Sequence, residues 1–120
     1  MIAYLKREGA RVWARVFHSC EGLAVAWREE PSFHQWVIAN FVSAGLAFAI
    51  EMSPLERALI IGFGLLILVV ELLNTGIEAA IDRISEEHHL LSKKAKDVAC
   101  AAVAMTALAT GAIWLVVLIG

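Results

Sequence analysis

Apolar residues in this chain fall into long runs separated by short charged clusters. Residues 1–30 are the exception. Leu5, Val12, Trp13, Val16, Phe17, Leu23 and Trp27 are interleaved there with Lys6, Arg7, Glu8, Arg11, Arg15, Glu21 and Arg28. That interleaving predicts an amphipathic surface helix over 1–30, lying in a membrane interface with tryptophan at headgroup depth. Glu29-Glu30-Pro31-Ser32 interrupts it, because the residue before a proline is pushed away from helical backbone angles. Three apolar segments follow, at 34–51, 55–81 and 98–119, each near or above the roughly 17 residues that a membrane span needs. Between the first two, Glu51-Met52-Ser53-Pro54 predicts a turn, with Ser53 as helix cap and Pro54 at the first helical position. A charged segment, 82–97, separates the second from the third. The fold class expected is an all-α membrane protein: a surface helix plus three transmembrane helices in a single domain.

Composition supports the membrane reading. The 120 residues are 60% hydrophobic and 18% charged, against roughly 45–50% and 25% in soluble domains. A net charge of −2 gives no reason to expect a nucleic-acid partner. Cys20 and Cys100 stand alone, without zinc spacing, and read as ordinary thiols. The N-terminus is charged, but no compact apolar core and cleavage site follow, so no cleavable signal is expected. Gly62 and Gly64, in the middle of an apolar segment, read as close-packing positions between helices.

Charge also predicts the topology. Lysine plus arginine number five before residue 35, four in 82–97 and one in 51–57. By the positive-inside rule the first two of these groups face the cytoplasm, and three spans satisfy this. The expected location is the bacterial inner (plasma) membrane, multi-pass.

One stretch breaks the apolar pattern. Glu71, Asn74, Glu78 and Asp82 lie in the second span. On a helix the three carboxylates fall within about 40° of one another, with Asn74 about 60° to the side. Acidic groups are costly in such surroundings and mark function. The topology places this polar seam at the cytoplasmic end, level with Glu29-Glu30 and with the lysines of 93–97. Carboxylates beside lysines are the ingredients of a magnesium–triphosphate site, and a desolvated carboxylate suits general-base work. No P-loop or strand-borne glycine loop is present, so an ATP site here would be of another kind. By residue chemistry alone an enzyme, a carboxylate-based ion or proton transporter and a structural bundle subunit all stay open.

Glu71-Leu-Leu-Asn-Thr-Gly-Ile-Glu78, followed by Ala-Ala-Ile-Asp82-Arg83, resembles the signature of the small bacterial integral-membrane diacylglycerol kinases, a family that also includes undecaprenol kinases. The likeness continues through Glu87-His88-His89 and Ser92-Lys-Lys-Ala-Lys96-Asp97, and upstream to Arg11, Gly22, Trp27, Glu30 and Phe33. It implies a homotrimer that transfers the γ-phosphate of Mg-ATP to a lipid hydroxyl on the cytoplasmic side, giving phosphatidate from diacylglycerol. It further implies Glu71 as the base and Asn74 as its positioning partner. Glu30 and Glu78 would hold Mg²⁺. Arg11, Glu30, Glu78, Glu87, His89, Lys96 and Asp97 would contact ATP. Trp27, Phe33, Glu71, Cys100 and Trp114 would meet the lipid, and the site would form between protomers. Trp36, His88 and Cys100 depart from the diacylglycerol kinase pattern, and Thr75 with Lys93-Lys94 is similar to undecaprenol kinases. These departures bear on the acceptor.

Overall fold

The computed structural model describes residues 1–120 and is built from four helices: α1 (Ile2–Glu29), α2 (Pro31–Ala49), α3 (Pro54–Ile84) and α4 (Leu90–Ile119). Helix α3 is the central element and packs on both α2 and α4, whereas α1 touches α2 and α3 more lightly. The molecule measures 52 × 48 × 23 Å. At 1.5 Å per residue even α3 is only about 47 Å long. Two extents of such size therefore require one helix to lie across the others. That helix is α1, whose residues 19–26 meet residues 72–79 of α3.

The junctions follow from local sequence. Glu30 is extended (φ −115°, ψ 100°); its N–H closes α1 on the Ala26 carbonyl while Pro31 opens α2. Proline suits that place because the first N–H of a helix has no intrahelical partner. At the next turn Ser53 caps α3 as expected. Its Oγ accepts from the Glu56 N–H at 3.1 Å, and the Glu56 carboxylate accepts from the Ser53 N–H at 3.1 Å. Arg57 then donates from Nε to the Ala47 carbonyl at 2.8 Å and covers the Phe48 ring, tying the start of α3 to the end of α2.

Two boundaries differ from expectation. The segment 82–97 is mostly helical: α3 runs on to Ile84 and α4 begins at Leu90, leaving a short connection. Nothing there breaks a helix except at Ser85–His89, and Lys93, Lys96 and Asp97 sit on the first two turns of α4. Second, α3 and α4 are the two helices long and apolar enough to cross a membrane. Helix α2 has 19 residues and carries His34, Gln35 and Asn40, so it does not stand with them by composition alone.

Little of this apolar chain is covered by protein. Only 10 of 120 residues are buried, among them Ile60, Ile67, Ala99 and Val103 where α3 meets its neighbours. Leu65, Leu66, Val69 and Leu73 on α3, and Met105, Leu108 and Val116 on α4, are exposed. Such a surface needs an apolar surrounding. Of the two mid-helix glycines, Gly64 is a contact position, since an added Cβ there would overlap the Asn40 amide. Gly62 faces open space. Both carry the same sequence signal, and which one touches a neighbour depends on the face that α2 covers.

Candidate active site

The polar seam of α3 is graded in depth. Glu71 is 3% exposed, Asn74 and Glu78 are half-buried, and Asp82 is exposed. The α1–α2 junction covers the deep end. Ser32, the second residue of α2, donates from Oγ to Glu71 Oε1 at 2.6 Å. Phe33 (5% exposed) and Ala26 (2%) are buried on either side of the junction, and the Trp27 ring meets Phe33 edge-on at 6.5 Å between centroids. Packing of those side chains is what brings a polar turn against a buried carboxylate. Thr75 Oγ1 returns to the Glu71 backbone carbonyl at 3.0 Å, the usual way a helical threonine is satisfied.

Glu30 completes an acidic cluster. Burial first, then the charges of Glu78, Glu71 and Glu29, holds its carboxyl above the ordinary glutamate range. Like charges gathered without a cation oppose ionisation, and a bound cation would relieve them. Asn74 Nδ2 lies 3.5 Å from Glu78 Oε1, at the outer limit of a hydrogen bond. Its Oδ1 is buried and has no hydrogen-bond partner. Buried amide oxygens are seldom left so. Two mutually repelling carboxylates and an orphaned amide oxygen are hard oxygen donors of the type that Mg²⁺ takes. No three His, Cys, Asp or Glu side chains converge as a full ligand set. A site in which phosphate oxygens complete the coordination needs no more than one or two protein carboxylates.

A second group of predicted residues gathers at the α3–α4 connection. Asp82, Glu87, His89, Lys96 and Asp97 line an open cleft of about 280 Å³. Lys96 Nζ donates to Asp82 Oδ1 at 2.6 Å, which holds the ammonium above the usual lysine range, with Glu78 contributing in the same direction. Asp82, whose part the sequence left open, is therefore the partner of Lys96. Lys93 Nζ donates to Asp97 Oδ2 at 2.6 Å, and this contact likewise raises Lys93. His89 Nδ1 accepts from the Leu91 N–H at 3.0 Å and caps α4. The Glu78 charge felt at Lys96 joins this cleft to the seam.

Other predicted residues are not brought in. Arg11 is exposed and paired with Glu8 at 2.8 Å; it lies 19 positions before Glu30, about 28 Å of helix. Trp114 lies about 27 Å along α4 from Lys96 and donates from Nε1 to Ser43 Oγ at 2.9 Å, at the far end of the bundle. Cys100 is exposed one turn beyond Lys96, and Trp27 is half exposed at the junction. Ser32 was not anticipated. A serine after proline at a helix start reads as a local capping residue, and nothing in the spacing of Ser32 and Glu71 reveals a contact across 39 positions.

A buried carboxylate, an acidic oxygen cluster and a lysine-bearing cleft follow one another along the C-terminal half of α3 and the start of α4, the two membrane-capable helices. Polar groups so placed in an apolar helix pair mark a functional site of a membrane protein. Comparison with known proteins narrows the class. Residues 17–118 match the family described as prokaryotic diacylglycerol kinase. The chain is 46% identical over 105 residues to a diacylglycerol kinase of Pseudomonas aeruginosa, covering 86% of this chain and 84% of that one. It is 36% identical over 101 residues to the diacylglycerol kinase of Escherichia coli K12 (84% and 83%). It is 44% identical over 92 residues to that of Helicobacter pylori 26695 (77% and 72%). The chain belongs to the prokaryotic diacylglycerol kinase family.

Proposed function

We infer that this chain is a diacylglycerol kinase: a membrane enzyme that moves the γ-phosphate of ATP onto the free hydroxyl of diacylglycerol, giving phosphatidate and ADP. The observation that carries this reading is the family match over 17–118, which contains the whole Glu30–Glu71–Asn74–Glu78 cluster and the Lys96 cleft. It also speaks against the ion-carrier reading of the seam. Undecaprenol is the second acceptor to test, because Trp36, His88 and Cys100 depart from the diacylglycerol kinase pattern and Thr75 with Lys93-Lys94 is similar to undecaprenol kinases.

Each side chain takes a part that its surroundings allow. Glu71 accepts the proton of the lipid hydroxyl as that oxygen attacks the γ-phosphorus and the bond to the ADP oxygen breaks. Its burial excludes water, which would otherwise compete as acceptor. Glu30 and Glu78 would hold magnesium, aided by the Asn74 Oδ1 that lacks a donor. When bound, magnesium neutralises charge on the phosphates. Lys96 exchanges Asp82 for phosphate, and Asp97, Glu87 and His89 bound the nucleotide from the cleft. Positioning and charge neutralisation are most of what phosphoryl transfer asks of a protein.

In this reading α2, α3 and α4 all cross the inner membrane, with both ends of the α3–α4 connection and the seam on the cytoplasmic side, and α1 lies in the interface. The lysine and arginine distribution supports that orientation. Three copies assemble, which the large uncovered apolar surface of α3 and α4 supports. The test is a phosphate-transfer assay in mixed micelles with Mg-ATP, offering diacylglycerol and undecaprenol side by side. Diacylglycerol is expected to be the better acceptor. Phosphorylation of undecaprenol alone would change the acceptor, and ATP-dependent product from neither lipid would sink the kinase reading.

A further inference from the structure

Glu71 is the one charged side chain of the chain that is buried. A carboxylate in that position needs donors. It has one: Ser32 Oγ, 2.6 Å from Oε1, in the short range of a hydroxyl bonded to an anionic oxygen. Its Oε2 bonds to no protein group, and it is not sealed off from its surroundings. The two oxygens of Glu71 are thus unequal, one held and one free.

The place of Ser32 fits a dedicated role. It sits at the second position of α2, between Pro31, which fixes the chain entry, and the buried Phe33. A serine at a helix start commonly serves its own backbone. Here α2 has no side-chain cap bond, and the hydroxyl reaches another helix instead.

We propose that Ser32 is the positioning residue of the proton acceptor: its hydroxyl holds Glu71 Oε1 and presents Oε2 to the acceptor hydroxyl. This rests on Glu71 being the base. Without Ser32 the carboxylate turns about its last side-chain bond, and the productive orientation is one of several. In this arrangement Ser32 acts through Glu71, so the defect belongs to the chemical step and not to binding.

The experiment is steady-state kinetics in mixed micelles with a short-chain diacylglycerol and Mg-ATP, for wild type, Glu71→Gln, Ser32→Ala and Ser32→Thr. For Ser32→Ala, kcat is expected to fall about tenfold, the weight of one hydrogen bond to a charged group, with both KM values within about twofold of wild type. Ser32→Thr, which keeps the hydroxyl, is expected to restore kcat to within about threefold. Should Ser32→Ala not fold, judged by size-exclusion and circular dichroism, Ser32→Cys carries the same expectation, since a thiol is a weak donor. An unchanged kcat, a threonine variant as slow as alanine, or a loss confined to KM would overturn the inference. An inactive wild type, or a Glu71→Gln enzyme with normal turnover, would instead remove the reading of the site and this inference with it. If wild type is active and Glu71→Gln is dead, an undisturbed Ser32→Ala overturns the role of Ser32 alone.

Discussion

Glu71 and Glu78 lie seven positions apart on one helix face, yet their surroundings separate their roles. Glu71 is buried, bonded to Ser32 and away from the cleft. Glu78 is half-buried, faces Asn74, and its charge reaches both Glu30 and Lys96. A change at each should therefore fail differently. In the function proposed above, Glu71→Gln keeps shape and removes the proton acceptor. It is expected to lower kcat by at least about a hundredfold, the low end of what general-base catalysis contributes, with nucleotide affinity near wild type. Glu78→Gln removes the proposed metal ligand and is expected to weaken Mg-ATP binding as well, seen as a raised KM for Mg-ATP and a weaker dependence of rate on magnesium concentration. Equal effects of both changes on Mg-ATP affinity would contradict the division of labour. Helical periodicity placed these acids on one face. Their order of burial was not legible, because it depends on where the α1–α2 junction comes to rest.

Among the elements, the contact of α2 with α3 at Gly64 is a close approach and the easiest to test. Gly64 has the Asn40 amide where a Cβ would lie, and Asn40 Nδ2 is itself held by the Trp36 carbonyl at 2.9 Å. A larger residue at 64 must push Asn40 off that bond. Gly64→Val is expected to destabilise by about 1–3 kcal/mol, the usual range for overpacking. The double change Gly64→Val with Asn40→Ala should recover most of the loss, and Gly62→Ala, in open space, should be neutral or mildly stabilising through helix propensity. Thermal unfolding of the detergent-solubilised protein measures all three. A Gly64→Val variant as stable as wild type would show that the helices do not meet there. The elements themselves were largely legible. Pro31 marked the break after α1, and Ser53 with Pro54 marked the start of α3, through purely local chemistry. Helix α2 itself runs over Pro31–Ala49 and not the expected 34–51, because the proline that ends one helix also opens the next. The charged stretch 82–97 was not, because charge marks where a chain meets water and says little about where a helix stops. Contacts between helices, such as Asn40 with Gly64 or Ser32 with Glu71, come from the angle and depth at which helices pack, and no local pattern records those.

For the whole molecule, the position of α1 matters most. It lies across the bundle and comes beside α3 near residues 19–26. Arg11, which the family likeness assigns to ATP, is consequently carried about 28 Å of helix away from Glu30 in its own protomer. If Arg11 serves a nucleotide, the geometry favours the nucleotide of a neighbour. The assembly should first be weighed: light scattering with the detergent contribution subtracted is expected to give three times the 13.1 kDa of the chain. Mixed assemblies then decide between neighbour and self. Arg11→Ala and Glu71→Gln chains, each impaired alone, are unfolded, mixed and reassembled. Where Arg11 acts across protomers, a site in the mixture can combine Glu71 from one chain with Arg11 from the other. Activity then rises above that of either variant reassembled alone. Where Arg11 acts within its own chain, every site that keeps Glu71 lacks Arg11, and no such gain follows. A gain would mean that the crosswise position of α1 has a purpose, since a surface helix laid back along its own bundle could not reach a neighbour.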